Sequence, residues 1–198
     1  PEFIKEAAIN AVNENWNSYS PVDGYADLKE AICEKFKRDN NLDYKPSQVV
    51  VSTGAKQSIA NLCLVLLDPG DEVLLPAPYW VSYSAIATLA EATSTIIPST
   101  IKNDFKITPE QLEAAITPKT KLIMFNSPNN PSGTVYTEAE YRALGQVLIK
   151  HPNIYILSDE IYEHINYGIS HFSIAAIPEL YDRTITVNGL AKAFAMTG

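Results

Sequence analysis

The sequence predicts an α/β fold in which a mainly parallel sheet carries helices on both faces, in three layers (α/β/α). Two observations support this prediction. Short aliphatic or β-branched runs alternate with helical segments along most of the chain, and right-handed crossovers between parallel strands place the intervening helices against the sheet. The 198 residues, 46% hydrophobic and 19% charged, suffice for one buried core. Because no linker composition divides the chain, we expect a single domain over residues 1–198.

The first forty residues are predicted to form two helices. Pro1 suits the first turn of an amphipathic helix over residues 1–9. A loop rich in Asn, Ser and Pro follows, as far as Gly24. Apolar residues then recur at helical spacing over residues 25–38, which predicts the second helix.

Six short runs have the composition of buried strands. They are rich in Val, Ile, Leu and Thr and are bounded by turn-forming residues, which is typical of strands. The predicted strands are 48–52, 72–75, 93–97, 121–126, 153–158 and 184–188.

Helical segments separate these strands, and two of them carry capping signals. Thr108 caps a helix whose first turn holds Pro109. Thr137 and Glu140 have the spacing of a capping box. The predicted helices are 55–67, 80–90, a short one opening at 108–111, and 137–150.

Polar clusters follow four of the predicted strands. In parallel sheets, ligands bind at the carboxyl ends of the strands. We therefore expect these clusters to gather at one edge of the sheet. The clusters are 52–56, 126–133, 158–162 and 188–192.

Gly54 follows a strand and opens a helix. A small residue there lets backbone N–H groups approach a phosphate at the positive end of the helix. An ordinary turn capped by Ser52 or Thr53 is the alternative, and Gly54 alone favours it. The segment matches neither Gly-x-x-x-x-Gly-Lys-Ser/Thr nor Gly-x-Gly-x-x-Gly.

Asp159 follows the apolar run 154–157, where a carboxylate is costly unless it is paired. A protonated ring nitrogen would pair with it, although Asp159 could instead cap the following turn. Tyr162 could reach the same ligand or serve as a packing aromatic. Together with Lys192, Asp159 supplies the two groups that pyridoxal 5'-phosphate (PLP) requires: a lysine that bonds to its aldehyde and an acid that holds its pyridinium nitrogen.

Two further residues are candidates for contacts with a flat cofactor. Asn130 precedes Pro131 in a segment dense in turn formers, so its backbone is kept out of helical geometry and its amide is fixed as a donor. A plain loop is the alternative. Trp80 could stack on a ring or pack in the core.

Composition excludes several classes of function. The formal net charge of −8 argues against nucleic-acid binding, and the apolar runs are too short to span a membrane. Cys33 and Cys63 lie among apolar residues and, like the three histidines, show no metal-ligand spacing. We expect no metal site and a cytoplasmic protein with reduced cysteines.

Five motifs in order carry a family resemblance: GAKQSI, LLDPGDEVLLPAPYWVSY, LEAAITPKTKLIMFNSPNNPSGTVYT, SDEIYEH and TVNGLAKAFAMTG. They resemble the class I aminotransferases of PLP fold type I, and within them the bacterial aspartate aminotransferase branch. The similarity runs over nearly the whole chain. It implies that residues 1–198 form the large, PLP-binding domain of such an enzyme, truncated, without the N-terminal segment and the C-terminal small domain of the family.

The resemblance also implies roles for individual residues. Lys192 would bind PLP covalently and move the substrate proton, and Asp159 would hold the pyridine nitrogen. Asn130 and Tyr162 would contact the 3′-oxygen of the ring, and Trp80 would stack on the ring. It further implies that the Asn130–Pro131 peptide is cis.

The remaining implied contacts are to the phosphate. Backbone groups of Gly54, Ala55 and Lys56 would cradle it, and Tyr19 would reach the phosphate of a neighbouring subunit. The implied assembly is a homodimer with shared active sites.

The implied activity is PLP-dependent transamination of aspartate with 2-oxoglutarate, so that the partners are amino acids and 2-oxo acids. The fragment alone is expected to be inactive. Alternatives are an aminotransferase for prephenate or aromatic amino acids, or a C–S lyase on the same fold. A rival of another class is the PLP-sensing domain of a transcription regulator, against which the acidic composition weighs.

Overall fold

The core of the computed structural model, which describes residues 1–197, is a five-stranded sheet. Its spatial order is β2-β1-β3-β4-β5, and each neighbouring pair is parallel. The parallel sheet predicted from the alternating elements is confirmed. The strands are β1 Glu72–Pro76, β2 Thr93–Ile97, β3 Thr120–Asn126, β4 Tyr155–Asp159 and β5 Thr184–Val187.

Six α-helices lie among the described residues, and the capping signals of two of them are confirmed. The Thr137 hydroxyl accepts from the Glu140 amide at 3.3 Å, and Thr108 caps its helix in the same way. No helix within residues 1–197 is long and apolar enough to cross a membrane. The helices are α1 Glu2–Asn13, α2 Ala26–Asn40, α3 Ala55–Leu66, α4 Ser82–Leu89, α5 Pro109–Ala115 and α6 Glu138–Ile149.

Successive residues of the central strands pack against different helices, which produces three layers. On β3, Leu122 and Met124 join the cluster formed with α3 and α4. The intervening Ile123 and Phe125 join the cluster formed with α5 and α6. This alternation follows from the two-residue period of a strand, and the predicted α/β/α arrangement is confirmed.

The strand predicted over residues 48–52 is wrong. Pro46–Gln48 form a 3₁₀ turn, and the residues after it are extended without a ladder. Val51 donates its N–H to the Asp23 carbonyl at 3.1 Å, while Val50 is 67% exposed. The β-branched composition favours an extended backbone, but a strand also needs a neighbouring strand. Within the described part of the chain this segment has none.

Candidate functional site

Asn126 and Asp159 join the carboxyl ends of the two central strands. They are the last residues of β3 and β4, lie opposite each other in the register, and are both buried. The Asn126 amide donates to the Asp159 carbonyl at 3.0 Å. Its oxygen accepts the N–H of Asn130 at 2.7 Å. Asn126 thus fixes the loop that carries Asn130 against the end of β4, as the clustering of polar segments predicted.

The Asp159 carboxylate is held by two hydrogen-bond donors. Strand alternation places Asp159 on the same side as Leu157, towards α4. The Tyr83 hydroxyl donates to Oδ2 at 2.6 Å, and the Ile161 amide donates to Oδ1 at 3.2 Å. The second contact is the local capping bond that the sequence offered as an alternative. No Lys, Arg or His side chain among residues 1–197 forms an ion pair with this carboxylate.

Burial raises the pKa of Asp159 to about 6, although the bonds from Tyr83 and Ile161 lower it. The neighbouring carboxylate of Glu160 raises it further. A buried acid without a cationic partner pays the desolvation cost of its charge. A protonated nitrogen brought by a ligand would offset that cost, so the donor set of this residue fits a pyridinium.

Tyr83 is a residue of the candidate site that the sequence analysis did not identify. It lies in the first turn of α4, is 1% exposed, and its ring packs edge-on against Trp80 with centroids 5.5 Å apart. Burial and the adjacent Asp159 raise its pKa far above the usual range, so the phenol stays protonated. Its spacing of three residues from Trp80 in a predicted helix was the available signal, but that spacing is equally typical of core packing.

Trp80 connects α4 with the beginning of α3. The Lys56 ammonium lies 5.0 Å from the centroid of the half-buried Trp80 ring, a cation–π contact. The Trp80 side chain therefore lies between Tyr83 on one helix and Lys56 on the other. This arrangement brings two candidates from separate sequence clusters to the same edge of the sheet.

The amino end of α3 is free of side-chain caps. Gly54 has φ of 83° and precedes the helix, and neither Ser52 nor Thr53 supplies a side-chain cap. The backbone N–H groups of Ala55 and Lys56 have no acceptor among the described residues. Unpaired N–H groups at the positive end of a helix fit a phosphate. The capped-turn alternative is therefore not the arrangement observed.

The side chains of Asn130 and Tyr162 also have polar groups available. Both residues are half-buried, and neither side chain forms a hydrogen bond within residues 1–197. The Asn130–Pro131 peptide is cis, as the resemblance implied. Tyr162 lies in the turn that follows β4, three residues after Asp159.

Lys192 lies in the turn after β5, near the edge but apart from the acid. Val187 at the end of β5 pairs with Asp159, and the chain needs five residues to reach Lys192. The Lys192 side chain is exposed and makes no ion pair or hydrogen bond in the described part of the chain. Lys192 therefore lies near the predicted edge of the sheet, but its side chain does not contact the Asp159 carboxylate.

Tyr19 does not join the other candidate residues within this chain. It lies in the loop after α1 and is fully exposed. The remaining candidates come from the beginning of α3, the segment before α4, the end of β4 and the segments after β3, β4 and β5, all at one edge of the sheet.

A polar network lies beside the candidate site on the far side of Asp159. The buried Glu160 accepts from the Ser158 and Ser173 hydroxyls and contacts His171 Nε2 at 2.9 Å. Glu163 pairs with Lys35 and accepts from the Asn40 amide. The two Glu163 contacts join α2 to the segment after β4 and thereby stabilise the turn that carries Tyr162.

Comparisons with known proteins identify the family of the chain. The model of the family "Aminotransferase class I and II" matches residues 1–198. The chain belongs to this aminotransferase family. It is 51% identical over 200 residues to the aspartate/prephenate aminotransferase of Cereibacter sphaeroides, covering 100% of this chain and 50% of that protein.

Solved structures of aminotransferases resemble this chain over its full length. The aspartate aminotransferase of Rhizobium meliloti superposes with a TM-score of 0.98 at 47% identity, over 100% of this chain and 50% of that one. The aromatic aminotransferase of Pyrococcus horikoshii superposes with a TM-score of 0.97 at 36% identity, over 100% and 53%. The chain thus spans about half the length of its relatives.

Proposed function

We propose that the complete protein is a PLP-dependent aminotransferase that exchanges an amino group between aspartate and 2-oxoglutarate. The observation that carries this proposal is the buried Asp159 carboxylate, which has two hydrogen-bond donors but no cationic partner within residues 1–197. The same edge of the sheet also presents the Trp80 ring and the uncapped amino end of α3. The names of the Cereibacter sphaeroides and Rhizobium meliloti relatives support aspartate as the substrate.

The residues at the sheet edge fit each part of PLP. The N–H groups of Ala55 and Lys56, presented after Gly54, suit the phosphate, and the Trp80 ring suits stacking on the pyridine. Asp159 would hold the protonated ring nitrogen. Asn130 and Tyr162 have side-chain donors free for the 3′-oxygen.

The chemistry divides between cofactor and chain. When bound, PLP supplies an electron sink for the bonds at the amino-acid Cα. The Lys192 amino group would attach the cofactor and then carry the proton between the substrate carbon atoms. Asp159 would keep the ring nitrogen protonated, because a carboxylate in a buried environment stabilises a positive partner strongly.

Prephenate is the second candidate substrate, and the name of the Cereibacter sphaeroides relative favours it. An aromatic amino acid is the third, because the Pyrococcus horikoshii neighbour is named for that activity. All three candidates use the same cofactor chemistry, so the substrate must be separated by direct comparison of amino-group donors.

The proposal extends to the domain organisation and the assembly of the protein. Residues 1–198 would be the large, PLP-binding domain of a longer cytoplasmic chain. Two such chains would form a homodimer in which Tyr19, fully exposed here, reaches the phosphate bound by the neighbouring subunit.

The covalent role of Lys192 can be tested with the full-length protein. Purified with PLP, the wild type should show a visible absorbance band that borohydride abolishes, and peptide mass spectrometry should place the reduced adduct on Lys192. Lys192→Ala should bind no reducible PLP. Lys56→Ala is the matched control: it removes the other candidate lysine at the edge and should keep the adduct. A reducible adduct that persists in Lys192→Ala would refute the assignment.

A half-reaction screen on the same preparation identifies the substrate. Aspartate should convert the absorbance of the bound cofactor faster than aromatic amino acids or the aminated product of prephenate. Wild-type protein that binds PLP but reacts with no amino acid would favour a non-catalytic sensor instead.

A further inference from the structure

We propose that Tyr83 is a positioning residue that orients the Asp159 carboxylate and keeps its charge available to the ring nitrogen of the cofactor. The inference rests on the proposed function and deepens it, because it assigns a residue to the control of the acid that holds the ring.

The geometry fixes the carboxylate from two different elements. The Tyr83 hydroxyl on α4 donates to Oδ2 at 2.6 Å, and the Ile161 amide after β4 donates to Oδ1 at 3.2 Å. Each oxygen therefore carries one donor and keeps one lone pair. A carboxylate held on both oxygens cannot rotate freely, so its remaining lone pairs have a defined direction.

The proton of this pair stays on the phenol. Burial and the neighbouring Asp159 both disfavour a Tyr83 phenolate, so that Tyr83 is a donor throughout the physiological pH range. A hydrogen bond to an ionised acceptor is stronger than one between neutral groups. Tyr83 therefore stabilises the charged form of Asp159, which is the form that a pyridinium requires.

The charges around Asp159 give Tyr83 particular weight. Glu160 is adjacent in the sequence, and its carboxylate opposes the ionisation of Asp159. Within residues 1–197 no cation pairs with Asp159. The two donors are therefore the contacts in the chain that favour its charge.

Tyr83 also shares its turn with Trp80. The Tyr83 N–H donates to the Trp80 carbonyl at 3.0 Å, and the two rings meet nearly perpendicularly, at 86°. The turn that leads into α4 thus carries both the Trp80 ring proposed to stack on the cofactor and the Tyr83 phenol that contacts Asp159. Replacement of Tyr83 by Phe keeps this packing and removes only the hydroxyl.

The test compares Tyr83→Phe with Tyr141→Phe in the full-length protein. Tyr141 is equally buried, on α6 in the opposite layer, and it makes no hydrogen bond to Asp159. Both variants lose one buried hydroxyl. The titration of Asp159 would be followed in the cofactor-free protein by ¹³C NMR with labelled Asp, and Asp159→Asn would identify the signal.

We expect Tyr83→Phe to raise the pKa of Asp159 by about one to two units, since a hydrogen bond to a charged group is lost, and Tyr141→Phe to leave it in place. PLP affinity at neutral pH should fall about tenfold or more in Tyr83→Phe alone. Equal titration and equal PLP affinity in the two variants would overturn the inference.

The two proposals fail in different ways. If the wild type forms no PLP adduct on Lys192, the proposed function fails while the NMR titration still measures the hold of Tyr83 on Asp159. If the wild type forms the adduct and Tyr83→Phe matches it in both measurements, only the role of Tyr83 is refuted.

Discussion

The ionised Asp159 carboxylate destabilises the folded protein, and a bound cation would offset this destabilisation. Its pKa of about 6 lies above the usual 3.8 because of burial, so the folded state keeps a proton that the unfolded chain has already released. Between about pH 4 and pH 6 the free energy of unfolding should therefore fall as the pH rises. Above pH 6 the penalty is complete, about 3 kcal/mol at 1.36 kcal/mol per pKa unit.

Asp159→Asn should remove this penalty in the cofactor-free protein. Because Asn stays neutral, the free energy of unfolding of the variant relative to the wild type should increase by about 3 kcal/mol as the pH is raised from 4 to 7. The variant should nevertheless lose PLP affinity. Urea denaturation at several pH values measures the difference. A difference between the two proteins that does not change with pH would contradict the prediction.

Glu163→Gln is a control with the opposite sign. Burial opposes the charge of Glu163, but the bonds from Lys35 and Asn40 outweigh it and leave the pKa lowered. A lowered carboxyl pKa stabilises the fold above the unfolded pKa, and this contribution is lost as the pH falls through the folded value. The deficit of Glu163→Gln should therefore shrink towards acid pH.

Among the helices, the uncapped amino end of α3 depends on Gly54, a glycine with a positive φ. Gly54 has φ of 83°, and no atom lies within 4 Å of the position that an added Cβ would occupy, so alanine there meets backbone strain without a clash. Gly70 has φ of 95° and equally open surroundings, but it precedes β1 at the opposite edge of the sheet. The two glycines form a matched pair.

Gly54→Ala and Gly70→Ala should each cost about 1–2 kcal/mol of stability, because both force a residue with a side chain to adopt a positive φ. Only Gly54→Ala should weaken the binding of PLP, since it disturbs the N–H groups of Ala55 and Lys56. Thermal denaturation and PLP titration separate the two effects. Equal loss of PLP affinity in both variants would argue against a phosphate at α3.

The sequence predicted the elements that depend on local pattern and missed what depends on a distant partner. The positions of Asn126 and Asp159 followed from parallel strands that end at one edge. Tyr83 contacts an acid 76 residues away, and its helical spacing does not show which layer it faces. Residues 48–52 have strand composition, but composition does not supply the neighbour that a ladder requires.

In the molecule taken together, the first 22 residues contain six of the large exposed apolar side chains. None of the residues of α1 is buried, and this region carries a series of large exposed apolar side chains. These side chains stay largely exposed within residues 1–197, although the Trp16 ring packs edge-on against Tyr25. Their exposure supports the proposed contact with a second subunit. They are Phe3, Ile9, Val12, Trp16, Tyr19 and Val22.

Sharing of sites between subunits can be tested by mixing two defective full-length proteins. Tyr19→Phe should weaken PLP binding about tenfold or more, because a hydrogen bond to a charged phosphate is lost. Lys192→Ala should form no adduct. In a mixed dimer, the site on the Tyr19→Phe chain has its own Lys192 and receives Tyr19 from the Lys192→Ala chain.

One fully wild-type site should therefore appear in each mixed dimer after the two variants are unfolded and refolded together. Mixing should restore wild-type PLP affinity and transamination in a fraction of the sites, while each variant refolded alone stays defective. If Tyr19 acted within its own chain, no mixed dimer would contain an intact site, because each chain would still lack one of the two groups. Recovery on mixing thus depends on Tyr19 crossing the interface, and its absence in dimers verified by sedimentation would refute shared sites.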